Sequence, residues 1–127
     1  MTFAYWCVLL TALLPVVWAG AAKFGADEYD NDRPRYYLDR LTGWAQRANW
    51  AQLNAYEAFP PFAAGVIIAH LTGAAQLPVD ILAGIFLLCR IAHGAVYIGN
   101  YPSIRSLVWS TGFLATVGLY ITAGWSA

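Results

Sequence analysis

The sequence predicts an all-α integral membrane protein, a four-transmembrane-helix bundle that forms one domain over residues 1–127. The chain is 60% hydrophobic and only 11% charged, whereas about a quarter of the residues in soluble domains are charged. Four long apolar stretches alternate with polar segments, and no proline- or glycine-rich linker divides them. This pattern is typical of a chain whose helices are buried in lipid.

The first two predicted helices cover about residues 3–22 and 41–71. No Lys or Arg precedes the first stretch, and about 20 apolar residues are enough to cross a bilayer. We therefore expect this stretch to be a membrane helix and not a cleaved signal peptide. Residues 23–47 hold most of the charged side chains. They are predicted to form the one long aqueous loop.

The last two predicted helices cover about residues 81–98 and 104–125. Residues 76–80 contain Pro78 and an aspartate, which favours a short turn before the third helix. Residues 99–103 are Gly-Asn-Tyr-Pro-Ser and predict the turn before the fourth helix.

The charge balance limits the partners and predicts an orientation. Seven Lys and Arg balance seven Asp and Glu, so no basic excess indicates a nucleic-acid partner. Most of the cations lie in the first loop, and Arg105 lies beside the third. The positive-inside rule then puts both termini outside and these two loops in the cytoplasm; we expect a bacterial inner membrane. His70 and His93 lie on different helices without a second ligand at a suitable spacing, so no metal site is expected.

Polar side chains within the spans are the candidate functional residues, because unpaired ionisable groups are costly in hydrocarbon. The second helix carries Arg47, Asn54 and Glu57, the third carries Arg90, His93 and Tyr97, and Arg105 and Ser106 open the fourth. Spacings of three, four and seven residues place each helix's set on one face.

Charge suggests how these residues are paired. Glu57 and Arg90 have opposite charges at similar predicted depth, so we expect an ion pair that holds the second and third helices in register. Arg47 and Arg105 then have no acidic partner in the spans. They predict an anionic ligand, since arginine binds carboxylates through two parallel hydrogen bonds. The acids of the first loop are the alternative partners.

These spacings resemble the MAPEG family, the membrane-associated proteins in eicosanoid and glutathione metabolism. The resemblance is carried by Arg47-x6-Asn54-x2-Glu57-x3-Pro61-Phe62, by Arg90-x2-His93-x3-Tyr97, and by Ile104-Arg105-Ser106. It covers the second to fourth helices, about half of the chain, and the length and the four spans agree as well.

The resemblance implies a homotrimer that binds glutathione as co-substrate between adjacent subunits, near the cytoplasmic face, and takes a lipophilic small molecule from the membrane lipid. Arg105 falls on the arginine that stabilises the glutathione thiolate, and Ser106 falls on a serine also discussed in the mechanism. The positions that shape or line the glutathione site are Arg47, Asn54, Glu57, Arg90, His93 and Tyr97.

The implied activity is that of a detoxifying glutathione transferase or peroxidase acting on lipophilic electrophiles or lipid hydroperoxides. Two alternatives stay open: a non-catalytic relative whose charged residues are structural or bind another small anion, and a membrane scaffold subunit. The chain has Gln52 where some members have histidine, Leu53 where eicosanoid-type members have arginine, and Trp109 where the prostaglandin E synthase branch has tyrosine. A specialised eicosanoid synthase is therefore not expected.

Overall fold

The computed structural model describes residues 1–26 and 31–126, which form five α-helices and no strand. The helices are α1 (Phe3–Phe24), α2 (Pro34–Asp39), α3 (Gly43–Leu71), α4 (Gln76–Ile98) and α5 (Pro102–Ser126). The all-α prediction is confirmed. Asp27, Glu28 and Asp30 of the predicted aqueous loop lie outside the described residues.

Three of the described helices, α1, α4 and α5, are long and apolar enough to cross a membrane. They make the chain an integral membrane protein. Helix α3 is longer still at 29 residues, but its first half carries Arg47, Glu57 and several side-chain amides, which lower its apolar content. The helix with the weakest hydrophobic signal is therefore the one with the most polar side chains.

Contacts between helices fix their directions in the bundle. The backbone N–H of Ala4 donates to Asp80 Oδ1 at 3.0 Å, and further along the same two helices the Trp18 indole lies against Gly94, so α1 and α4 are parallel. Arg47 near the start of α3 contacts Ile98 at the end of α4, so α3 is antiparallel to both. The starts of α3 and α5 and the end of α4 therefore lie together, at what we call the α2 end of the bundle.

The hydrophobic core contains side chains from all four long helices. The Phe62 and Phe86 rings stack with their centroids 3.9 Å apart and their planes at 12°. Cys7, Val66 and Leu119 are buried in the same cluster. Burying an aromatic pair at the centre joins α3 to α4, and the smaller side chains let α1 and α5 approach it.

The predicted turn over residues 76–80 is wrong, because α4 begins at Gln76. Pro78 lies in the first turn of the helix, where a backbone N–H would have no acceptor within the helix, so a proline there breaks no hydrogen bond. The side chain of Gln76 donates to Asp80 Oδ1 at 2.6 Å across this turn. The features that suggested a turn are thus those of a helix start.

The predicted aqueous loop contains the short helix α2, which the sequence analysis missed. Pro34 is its first residue, a position that proline favours. Leu38 is buried against Ala22 and Ala48, and the Asn49 amide donates to the Leu38 carbonyl at 3.3 Å. This segment is therefore packed onto the bundle.

Replacing Gly94 tests the packing of α1 on α4. A Cβ at Gly94 would overlap the Trp18 ring, so Gly94→Ala is expected to cost about 1–3 kcal/mol of stability through overpacking. Gly124→Ala is the matched control, because a Cβ added at that helical glycine would have no atom of another described residue within 4 Å, apart from its own helix and chain neighbours. Thermal unfolding in detergent measures the stability of both variants. Equal unfolding midpoints for Gly94→Ala and Gly124→Ala would contradict the close contact between Gly94 and Trp18.

Candidate functional site

The predicted polar residues converge at the α2 end of the bundle. Helix α3 contributes Asn54 and Glu57, α4 contributes Arg90 and residues one and two turns beyond it, and α5 contributes its first turn. This convergence follows from the antiparallel order of the three helices, which brings the first half of α3 beside the last half of α4. Residues far apart in sequence are therefore neighbours.

Arg90 is bonded to Asn54, which corrects the predicted ion pair with Glu57. Arg90 is 3% exposed and donates through Nη2 to Asn54 Oδ1 at 2.7 Å, while its Nε has no hydrogen-bond partner among the described residues. Glu57 lies one turn further along α3 and is exposed. The neutral amide accepts a hydrogen bond from the guanidinium, so no second charged group has to be buried beside it.

Tyr97 is the centre of a second cluster. The Arg105 guanidinium lies over the Tyr97 ring at 4.5 Å from its centroid, a distance suited to a cation–π interaction. His93, which is 2% exposed, meets the same ring edge-on at 5.6 Å. Among the residues that the structure describes, no carboxylate pairs with Arg105. Its positive charge is therefore held in place by an aromatic face.

His93 has an unused hydrogen-bonding atom in this cluster. In the part of the chain that the structure describes, its Nδ1 is buried without a partner, and the ring borders a pocket that is also lined by Tyr97 and Arg105. Buried polar atoms are bonded in the great majority of cases. Because the Nδ1 atom itself has almost no accessible surface, a ligand in the pocket would meet the imidazole ring and not this nitrogen.

Arg47 lies apart from the other predicted site residues. Its Nε donates to the carbonyl of Ile98 at 2.9 Å, one of the last carbonyls of α4, which have no partner within the helix. It lines none of the three pockets described below. Its contact in the single chain joins the start of α3 to the end of α4.

Three adjoining pockets open at the site, and Asn54 borders all of them. The polar pocket, of about 280 Å³, is bordered by His93, Tyr97, Arg105, Ser106 and Trp109. The apolar groove, of about 400 Å³, includes Glu57, Phe86, Arg90, Trp109 and Phe113 in its lining. The side pocket, of about 380 Å³, is bordered by Trp50, Leu53, Glu57 and Tyr97.

Several of these bordering residues were not predicted from the sequence. Ser110 borders the polar pocket four residues after Ser106, a spacing that places both on one helical face and could have revealed it. Its hydroxyl donates to the Ser106 carbonyl at 2.8 Å. Phe86 and Phe113 had no signal beyond that of ordinary apolar residues. Aromatic side chains in an apolar helix do not by themselves indicate a groove.

The arrangement suits a small polar molecule beside an apolar one. The polar pocket offers a cation, an imidazole, a phenol and a hydroxyl, which can bind carboxylates and other acceptors. The adjacent groove offers mainly hydrocarbon and aromatic surface. A reaction between a hydrophilic and a lipophilic partner is the chemistry that such neighbours permit.

Comparison with known proteins supports the resemblance inferred from residue spacing. The family model that matches the chain is that of the MAPEG family, over residues 3–125. The match includes α1, which contributed nothing to the sequence motifs. No curated protein and no solved structure gives a significant match to the chain. The resemblance is confirmed.

Substitutions distinguish the observed partner of Arg90 from the predicted one. Asn54→Leu leaves a buried guanidinium without its acceptor and is expected to lower stability by about 1.5–3 kcal/mol, the range for a hydrogen bond to a charged group. Glu57→Gln changes an exposed side chain and is expected to stay within about 0.5 kcal/mol of the parent. Thermal unfolding in detergent measures the stability of both variants. A larger loss of stability for Glu57→Gln than for Asn54→Leu would instead support an ion pair between Glu57 and Arg90.

Proposed function

Because the chain belongs to the MAPEG family, which includes glutathione-dependent transferases, we propose that it is a glutathione-dependent membrane transferase or peroxidase. Its substrates in this proposal are lipophilic electrophiles or lipid hydroperoxides. The observation that carries the proposal is Arg105, whose guanidinium borders the polar pocket over the Tyr97 ring and has no carboxylate partner among the described residues. A fixed, unneutralised cation is suited to stabilise a bound thiolate.

Arg105 is proposed to favour the thiolate of glutathione over the thiol. Glutathione supplies the sulfur that attacks the electrophile, and a cation beside that sulfur stabilises its ionised form. The ring of Tyr97 holds the cation without neutralising it, whereas a carboxylate partner would compete with the thiolate. Ser106 borders the same pocket and is proposed to donate a hydrogen bond to the sulfur.

The remaining polar groups are proposed to orient the two carboxylates and the ammonium of glutathione. His93 contributes an imidazole at the border of the polar pocket, and Glu57 is an exposed carboxylate that can meet an ammonium. Arg90 and Asn54 are already bonded to each other, so they fix the edge of the site. Arg47 is proposed to shape the site by anchoring α3 to the end of α4.

The membrane arrangement is part of the proposal. At about 1.5 Å per residue, the 29 residues of α3 give a helix of about 43 Å, longer than the hydrocarbon layer of about 30 Å, so α3 is proposed as the fourth span. Its exposed Glu57 would be costly against lipid. Contact with a second and third copy in a homotrimer would cover this face. The Lys and Arg distribution favours cytoplasmic first and third loops.

A non-catalytic role is the second candidate, and two contacts favour it. Arg47, one of the two cations that suggested an anionic ligand, bonds to the carbonyl of Ile98. Arg90 bonds to Asn54. A relative that keeps its charged residues for packing would show such contacts. The role of Arg105, which lacks a comparable polar contact among the described residues, separates the two candidates.

Titrating glutathione into the purified protein tests the role of Arg105. Calorimetry measures binding while ultraviolet absorbance follows the thiolate. Arg105→Ala is expected to abolish the thiolate signal and to weaken binding by about tenfold or more, because a charge-assisted contact is lost. Arg35→Ala removes an exposed arginine outside the three pockets and should leave both signals intact. A folded parent protein that binds no glutathione would favour the non-catalytic role.

Substitution of Tyr97 tests how Arg105 is held. Tyr97→Phe keeps the aromatic face, whereas Tyr97→Leu removes it. Only the leucine variant is therefore expected to reduce the acid dissociation constant of the thiol of bound glutathione, by about three- to tenfold. A pH titration of thiolate absorbance at saturating glutathione measures this constant. If phenylalanine behaved like leucine, the hydroxyl and not the ring would be responsible.

A further inference from the structure

Two arginines lie on one tyrosine ring at the α2 end of the bundle. The Arg40 guanidinium lies 4.5 Å from the centroid of the Tyr36 ring, and the Arg33 guanidinium lies 5.3 Å from the same centroid. Both distances are within the range of a cation–π contact. Arg33 directly precedes helix α2 and Arg40 directly follows it. The short helix thus brings two positive charges from its two ends onto one aromatic side chain.

The N–H groups of these two guanidiniums are available to a ligand. Arg33, Tyr36 and Arg40 are all exposed, and among the described residues no side chain or carbonyl accepts a hydrogen bond from either arginine. A ring contact uses the charge of a guanidinium and leaves its N–H donors unused. Two such groups on one ring suit a phosphate, whose oxygens accept parallel hydrogen bonds from arginine.

Helix α2 is held at the level where α1 ends. Leu38 of α2 is buried against Ala22, and α1, which is long and apolar enough to cross a membrane, ends at Phe24. The Phe24 ring is 88% exposed. Trp44, which lies against Gly25, is 43% exposed. Exposed aromatic side chains at the end of a span are typical of the surface of a bilayer, where lipid phosphates lie.

We propose that Arg33 and Arg40, held on the ring of Tyr36, bind the phosphate of an anionic phospholipid at this surface. The site is separate from the proposed glutathione site, because none of these three residues borders any of the three pockets. The ligand is a lipid because its acyl chains can cover the exposed rings of Phe24 and Trp44, whereas a soluble phosphate ester has no apolar part to do so. A bound lipid would hold α2 at a fixed depth.

Arg35 distinguishes a phosphate site from general attraction by positive charge. It is an exposed arginine of the same short helix, but no ring contact among the described residues includes it. If attraction of anionic lipid depended on net charge alone, removal of any exposed arginine of this segment would have the same effect. If it depends on the arrangement on Tyr36, removal of Arg35 matters less.

Lipid titration tests the proposed site. The purified protein in an uncharged detergent is titrated with dioleoylphosphatidylglycerol, and native mass spectrometry measures the affinity of the first lipid bound. Arg33→Gln and Arg40→Gln are each expected to weaken this affinity about fivefold, the effect of one arginine at an anionic lipid surface. Arg35→Gln is the matched control, because it removes the same charge from the same helix, and it should weaken the affinity less than twofold.

Substitution of Tyr36 provides a second test, which applies even if the arginine variants do not fold. Tyr36→Leu removes the ring that holds both guanidiniums and is expected to weaken lipid binding about threefold or more. Tyr36→Phe keeps the ring and should preserve the affinity. Glutathione binding should be unchanged in Arg33→Gln and Arg40→Gln, since neither residue borders a pocket.

Three results would overturn the site. Equal losses for Arg35→Gln and Arg40→Gln would indicate attraction by net charge. Equal affinity for dioleoylglycerol, which lacks the phosphate, would exclude phosphate recognition. Displacement of the lipid by an equal concentration of glycerol 3-phosphate would make a soluble phosphate ester the ligand. A parent protein that binds no glutathione would overturn the proposed function and leave this inference intact.

Discussion

The bond between Arg90 and Asn54 sets the position of the candidate site. A guanidinium in the interior of a membrane protein is tolerated only where it finds acceptors, and Asn54 supplies one at 2.7 Å. The same asparagine borders all three pockets. The hydrogen bond to this buried charge thus fixes α3 against α4 at the level where the polar pocket and the apolar groove meet.

The surrounding helices are held by apolar contacts in the core and by arginine contacts at the α2 end of the bundle. Core contacts such as the Phe62–Phe86 stack are made entirely within the protein. At the α2 end, Arg47 uses a backbone carbonyl and Arg105 uses an aromatic face. The contact of Arg47 uses one of its N–H donors in a hydrogen bond. The contact of Arg105 with the Tyr97 ring uses the charge of the guanidinium and none of its N–H donors. The cation best placed to act on a ligand is therefore the one held by a ring.

The long helices and most of the site were predictable because their signals are local. Apolar runs indicate membrane helices, and spacings of three and four residues place Arg90, His93 and Tyr97 on one face. The start of α4 was missed because Pro78 suits a turn and a first helical turn equally. Helix α2 was missed because docking of Leu38 stabilises it. The partner of Arg90 was misassigned because Asn54 and Glu57 share a face, and charge alone favoured the glutamate.

Trp109 borders both the polar pocket and the apolar groove, which constrains how the site can diverge during evolution. A change in the size of this side chain alters both spaces at once, so selection on one would disturb the other. Phe113 and Thr116 border the groove without bordering the polar pocket. Substitutions at these two positions would therefore change the shape of the apolar groove without changing the lining of the polar pocket.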